Sequence, residues 1–312
     1  MNTKILITGG AGYIGSILTT HLLEKGFEVT VLDNLLFNQN SLSHCAKYTN
    51  FNFIREDVTN IKFLKKIISE FDIFIPLAAL VGAPLCKKDP EKTKNINLLS
   101  HQNLIEFIPD DLKIIFPSTN SGYGKSRKGE FCTEESKINP LSDYGKYKVD
   151  VENIYLSRNN SVIFRFATVF GSSHRMRMDL LVNDFVYKAF KDSSIVLFES
   201  GFRRNFLHIQ DAVRVFDYTI NNFEVMKKNL FNVGLSSANL TKLQLAEKIK
   251  EHFPNFFIHC SEINSDPDKR DYLVSNKKIE SLGWKPKFNL DNGIIELKKL
   301  YSMISLNNFS NV

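Results

Sequence analysis

Lys4-Ile5-Leu6-Ile7-Thr8-Gly9-Gly10-Ala11-Gly12-Tyr13-Ile14-Gly15 is the stretch that decides how this chain folds. A short apolar strand runs into a turn with glycine at positions 9, 10, 12 and 15. Ile14, Ile17, Leu18 and Leu22 then follow the i, i+3, i+4, i+8 spacing of a helix with one buried face. Glycine is required where a chain turns tightly between strand and helix and where the helix packs close to the strand. The helix N-terminus then offers unpaired amides to an anion. Gly26 stands where that helix would be capped.

Working outward, strand-like apolar runs recur at Lys4–Thr8, Glu28–Leu32, Phe51–Arg55, Ile73–Pro76, Lys113–Pro117 and Ser161–Phe166, separated by helical spacing. This alternation predicts an α/β fold of the Rossmann type, a doubly wound parallel sheet. A smaller C-terminal α/β substrate domain is expected after Gly171. The division reads as 1–171 for the nucleotide domain, with 207–235 returning to it, and 172–206 plus 236–312 for the substrate domain. A helix near Asp179–Phe190, a strand at Ile195–Phe198, a helix at Gln210–Asn222 and a strand at Leu230–Val233 complete the reading.

Composition bounds the function. With 43% hydrophobic and 24% charged residues the chain is an ordinary globular protein, which argues against disorder or a fibrous build. The net charge of +6 is scattered rather than gathered in a tract, so a solvated basic surface is expected and no nucleic-acid partner. Cys45, Cys86, Cys132 and Cys260 lie far apart without metal-ligand spacing, so neither a metal nor a disulfide framework is expected. No signal-like or membrane-spanning run is present, and a cytoplasmic location is expected.

The glycine turn satisfies the dinucleotide fingerprint, and Asp33 closes the second strand at about the ~20-residue offset where an acid meets the adenosine ribose. A carboxylate there would repel a 2′-phosphate, so the expected cofactor is NAD rather than NADP. Asp57-Val58, after the third strand, is a candidate for adenine contact or, alternatively, a helix cap.

Tyr144 and Lys148 are four residues apart, on one face if the segment is helical. A phenol near pKa 10 is a poor base at neutral pH, and the expectation is that the Lys148 ammonium and a positive nicotinamide ring together stabilise the phenolate, a lowering of about three units being worth about 4 kcal/mol. Such a phenolate can take the proton of a sugar hydroxyl while carbon gives up hydride. Thr119, just beyond the strand Lys113–Pro117, can share that proton, with Ser118 as the alternative or a plain turn as the bland reading.

Together these motifs resemble the extended short-chain dehydrogenase/reductase family of nucleotide-sugar epimerases and dehydratases. The resemblance covers essentially the whole chain and includes Leu77-Ala78-Ala79, Asn97, Arg165 to Gly171, Arg204 to Asp211 and Leu282 to Pro286. It implies a catalytic trio of Thr119, Tyr144 and Lys148. The implied cofactor residues are Gly9, Gly12, Tyr13, Ile14, Gly15, Asp33, Asn34, Asp57, Val58, Leu77, Ala78, Ala79, Asn97, Tyr144 and Lys148. Substrate contacts are implied at Val81, Thr119, Asn120, Ser121, Thr168, Arg177, Leu180, Asn183, Arg204 and Arg270, the last two clamping a diphosphate. Arg175 and Arg203 are further candidates. A homodimer packed through the helices containing Asn97 and Tyr144 is also implied.

Two departures narrow the reading. Asn120-Ser121 replaces the Asp-Glu pair of the dehydratases, which speaks against loss of water, and Ala167 replaces an asparagine that many members use near the diphosphate. Three stretches, Leu80 to Cys86, Arg175 to Phe185 and Asp266 to Asn276, look like bacterial capsule-pathway GDP-heptose 4-dehydrogenases. That implies NAD-dependent oxidation at C4 of GDP-D-glycero-D-manno-heptose. A 4-epimerase would use the same groups, and a silent NAD-binding scaffold is the alternative of another class.

Overall fold

Parallel strands joined by helices need both sheet faces covered, and the apolar runs supply that pattern throughout the first half of the chain. The computed structural model describes residues 3–127, 129–263 and 268–304. Asp266 and Pro267, which open one of the stretches carrying the finer resemblance, lie outside the described residues, as do residues 305–312 of the expected C-terminal domain.

Seven strands form one parallel sheet: β1 (Lys4–Thr8), β2 (Glu28–Leu32), β3 (Phe51–Ile54), β4 (Ile73–Pro76), β5 (Lys113–Thr119), β6 (Ser161–Phe166) and β7 (Asn229–Val233). Their order is β7-β6-β5-β4-β1-β2-β3, so the order reverses between β1 and β4, where a doubly wound sheet opens its crevice. The fold is thus the Rossmann-type sheet expected, with β5 running two residues further than its apolar pattern, as far as Thr119.

Helix α1 (Tyr13–Glu24) buries Leu18 and Leu22 completely, and Ile14 and Ile17 pack against the same core. It ends at Gly26, whose φ of +86° is open to a residue without a side chain. Helix α2 (Asp143–Leu156) starts at Ser142, whose hydroxyl accepts the Gly145 N–H at 3.2 Å. Three further helices matter below: α3 (Leu181–Lys191), α4 (Ile209–Asn221) and α5 (Leu290–Tyr301). Strand Thr168–Phe170 pairs with Arg203–His208 in a small second sheet completed by Asn239–Thr241.

One apolar core runs unbroken from Ile5 and Val29 in the main sheet through Phe170, Val182 and Leu245 to Leu297 in α5. The smaller C-terminal part therefore shares its core with the sheet. No described helix is long and apolar enough to cross a membrane.

A buried polar network fixes α2 against the sheet. The Arg165 Nε on β6 donates to both Glu152 carboxylate oxygens at 3.2 and 3.1 Å, and its Nη2 makes a shorter bond to the same group. Ser118 of β5 donates to Glu152 at 2.9 Å. The Tyr123 hydroxyl accepts from Arg165 Nη1 at 3.0 Å and donates to Asn232 of β7 at 2.7 Å. Glu152 and Arg165 are 1% and 5% exposed, so neither charge can be rescued by water if the other is lost. Replacing one partner is expected to be costly: Glu152→Gln should lower unfolding free energy by about 3 kcal/mol in urea denaturation. A loss below about 1 kcal/mol would mean that solvent reaches the pair.

Candidate active site

The glycine turn sits at the carboxyl ends of β1 and β4. A Cβ on Gly9 would lie 2.5 Å from the Ala78 nitrogen, and one on Gly15 would lie 2.5 Å from the Gly9 oxygen. Both contacts are with backbone and cannot give way, so the Leu77-Ala78-Ala79 segment and the first turn of α1 close on the glycines as the sequence suggests. Gly12 caps α1 without any side-chain acceptor, which leaves the leading amides for an anion. The cradle fits a dinucleotide pyrophosphate.

Asp33 follows β2 and accepts the Ala11 N–H at 3.0 Å and the Leu35 N–H at 2.8 Å. Burial raises its carboxyl above the ordinary range, against the opposing pull of those two amides. Beyond it, the Asn34 amide donates to Asp57 at 2.8 Å, while Asp57 also accepts the Thr59 N–H and hydroxyl at 2.9 and 2.7 Å. Burial pushes the Asp57 carboxyl up, and these donors outweigh it and hold the group below its usual range. Val58 packs beside Leu80. Asp33, Asn34 and Asp57 thus line one continuous rim that can hold the adenosine end.

Thr119, Tyr144 and Lys148 come from the end of β5 and the start of α2. The Thr119 hydroxyl donates to Ser121 Oγ at 3.0 Å and accepts the Ser121 N–H at 3.1 Å. Tyr144 packs against Leu80, Cys86 and Ile96. Lys148 is 4% exposed; its Nζ donates to the Pro117 carbonyl at 2.9 Å and lies 4.5 Å from the Phe116 ring centroid. Burial lowers Lys148 to about 7 and raises the Tyr144 phenol to about 12.

In the protein by itself the phenol thus stands above its ordinary range: desolvation dominates at Tyr144, and Arg177 and Arg270 oppose it. The lysine is occupied by a strand carbonyl instead.

Three other expected contact residues are also held by the fold itself. The Tyr13 hydroxyl donates to the Gly171 carbonyl at 2.7 Å inside the core, so only its backbone is available to a cofactor. The Asn97 amide both accepts the Leu80 N–H and donates to the Leu80 carbonyl, at 2.8 and 2.7 Å. It holds the loop after β4 from a π-turn at Asn95–Leu99 inside an otherwise α-helical run, and so acts on a ligand through that loop. Asn183 accepts the Gly171 N–H at 3.1 Å and donates to Tyr13 Oη and the Arg177 carbonyl at 3.3 and 2.9 Å. Fully buried and with both ends of its amide engaged, it clamps the loop after Gly171 to the start of α1.

Among the remaining expected substrate residues, Ser121, Arg204 and Arg270 are joined by hydrogen bonds. Arg270 bonds the Ser121 hydroxyl, and Arg204 bonds the Arg270 carbonyl. Asp268 joins the two arginines: Arg204 Nη2 lies 2.9 Å from its Oδ2 and Arg270 Nε 2.7 Å from its Oδ1. Despite burial, these guanidiniums hold the Asp268 carboxyl well below the usual range. Arg177 reaches from Asp179, with Nε to Oδ1 at 3.2 Å, toward Tyr144 and the loop at Gly82. Arg203 is taken up by Asp271 at 2.8 Å. Val81 and Thr168 are partly buried and Leu180 caps α3. Asn120 is 1% exposed and neither its amide oxygen nor its nitrogen has a hydrogen-bond partner.

Sequence reasoning missed Asp268, which carried no periodic signal, and Glu152. The latter was readable as the next step of the Tyr144, Lys148 series on one helix face. Among the described residues no cluster of three or more His, Cys, Asp or Glu could hold a metal.

Against known proteins, the pattern of the NAD dependent epimerase/dehydratase family matches residues 5–234. A putative UDP-glucose 4-epimerase of Methanocaldococcus jannaschii is 29% identical, with 97% of this chain and 99% of that protein covered. A CDP-paratose 2-epimerase of Salmonella typhi is 25% identical, with 97% and 99% covered. The structure of a Thermus thermophilus UDP-glucose 4-epimerase in complex with NAD superposes with a TM-score of 0.82 at 24% identity, covering 97% of this chain and 100% of that one.

The Lys148 shift has a thermodynamic signature. With a folded pKa of about 7 against about 10.4 in the unfolded chain, the unfolded state binds the extra proton between those values. Stability must then rise with pH across that window. The expected result is that urea midpoints of the wild type gain on those of Lys148→Met from pH ~7 to ~10. A pH-independent difference would show that Lys148 stays protonated in the fold.

Proposed function

Because the chain belongs to the NAD dependent epimerase/dehydratase family, we propose that it oxidises the C4 hydroxyl of a nucleotide-activated sugar and releases the 4-keto sugar. The observation that supports this reading is that Lys148 of α2 donates to the Pro117 carbonyl, two residues before Thr119 ends β5, while Tyr144, one turn earlier on α2, has Arg177 and Arg270 near its phenol. NAD, held by the glycine turn and the Asp33 rim, accepts hydride when bound.

The chain's own residues do the rest. Tyr144 in its phenolate form takes the hydroxyl proton at Oη, and Arg177 and Arg270 stabilise the negative charge there. Thr119 and Ser121, linked hydroxyl to hydroxyl, orient the reacting group. Lys148, tied to Pro117, keeps a buried positive charge or proton beside the strand end. Arg204 and Arg270 suit a diphosphate because each presents a planar fork. Asn120-Ser121 offers no carboxylate pair of the kind needed to expel water, which favours redox chemistry over dehydration.

The finer reading, GDP-D-glycero-D-manno-heptose oxidised in a capsular polysaccharide pathway, is supported by the resemblance of the Leu80 to Cys86 and Arg175 to Phe185 stretches. The named relatives include UDP- and CDP-sugar enzymes. A second reading, a 4-epimerase that retains the ketone and returns hydride to its other face, is favoured by the 4-epimerase relative that spans the whole chain.

Incubation with GDP-manno-heptose, and separately with UDP-hexoses, in the presence of NAD and a sacrificial keto acid distinguishes these. We expect a nucleotide sugar two mass units lighter and net formation of reduced cofactor or of the reduced keto acid. An isomer of unchanged mass with no net cofactor change would establish the epimerase instead. Tyr144→Phe should lower kcat by roughly 100-fold or more. In Arg177→Met, loss of a cation near the phenol should move the rising limb of the pH–rate profile to higher pH, with Arg177→Lys restoring part of the shift.

A further inference from the structure

Arginines around the crevice come with acids: Arg177 with Asp179, Arg203 with Asp271, Arg204 and Arg270 with Asp268, and Arg165 below them with Glu152. Arg175 does not follow the rule. It is 3% exposed, and its Nε and Nη2 have no hydrogen-bond partner. A guanidinium removed from water without acceptors is costly, and natural folds accept it where a ligand supplies them.

Its position says which ligand. The loop after Gly171 is pinned to the first turn of α1: Ser173 Oγ donates to the Tyr13 carbonyl at 2.7 Å, lies 3.0 Å from Ser16 Oγ and accepts the Arg175 N–H at 3.2 Å. Met176 is buried in the core, and the flanking Arg175 and Arg177 are nearly as buried. Arg177 heads for Tyr144, whereas Arg175 lies over the Phe37 ring, 4.1 Å from its centroid. Asp33 is near enough to act on Arg175 electrostatically, but no hydrogen bond joins Arg175 to it. Burial and the neighbouring Arg177 lower Arg175 to about 10, which still leaves it charged at neutral pH.

We propose that Arg175 is a second anion site for the cofactor, placing a side-chain fork on the pyrophosphate from the face opposite the glycine turn. The turn supplies neutral amides; Arg175 supplies charge and two directed N–H groups. The pyrophosphate in turn satisfies donors that the fold leaves unpaired. This inference rests on NAD as the cofactor and is independent of the sugar or its fate.

The test is calorimetric titration of the full-length protein, stripped of endogenous dinucleotide, with NAD, ADP-ribose, adenosine and GDP or UDP. Arg175→Met should weaken NAD and ADP-ribose by ~10- to 100-fold and leave adenosine unchanged, with Arg175→Lys recovering part of the loss. Thermal unfolding of each variant checks that the fold is intact, and the lysine variant keeps the comparison if the methionine variant is unstable. An equal loss for adenosine would place Arg175 on the ribose or base. A loss confined to the nucleoside diphosphates would place it on the substrate. Unchanged NAD affinity would give it no ligand role. Any of these three outcomes overturns the proposal, and none depends on whether the sugar reaction occurs.

Discussion

Burying Glu152 and Arg165 together imposes a geometric requirement on everything above them. Two charges nearly sealed from water are tolerable only if their remaining hydrogen-bonding capacity is met, and here Ser118 of β5 and Tyr123 from the loop after it supply the missing partners, Tyr123 being held in turn by Asn232 of β7. Helix α2 can roll neither way without stranding one of them. Because Glu152 is one helical turn beyond Lys148, and Lys148 one beyond Tyr144, the same lock sets where the phenol and the ammonium face. The reactive end of α2 is thus aimed by an ion pair at its middle.

Polar chemistry concentrates at the carboxyl ends of the strands for a related reason. Where β1, β4 and β5 stop, their last carbonyls and the amides of the following turns lack sheet partners. The chain meets that demand with Thr8 accepting from Leu77, Pro117 from Lys148, and Leu80 from Cys86 and Asn97. Several side chains that family resemblance casts as ligand contacts are used this way. The Asn97 amide and the Tyr13 hydroxyl are both spent on backbone groups of the fold.

What was legible beforehand follows from which forces act locally. Strand positions, the glycine turn, the face shared by Tyr144 and Lys148, and the acid closing β2 are written in periodicity and steric need, which a sequence displays directly. The desolvation that raises Tyr144 in the protein by itself was not legible because it is a tertiary property: no spacing reveals that the cluster of Leu80, Cys86 and Ile96 packs against that ring. The partners of Asn183 were illegible for the same reason, since Tyr13 and Gly171 are joined to it only by the fold. Asp268 lay in a stretch already noticed, yet that it serves two arginines emerges only when the strand Arg203–His208 lies beside it.

Asp268 makes the arginine pair resemble an ion-exchange resin already loaded with its counter-ion. The carboxylate is tethered two residues from Arg270, so its local concentration at the guanidiniums far exceeds that of any dissolved anion. Chloride, acetate or a lone phosphate must compete with a resident that never diffuses away. A diphosphate, with more charge and more oxygens to present to two forks at once, can win that exchange. On the proposed diphosphate reading, such a pair discriminates by valence before it discriminates by shape.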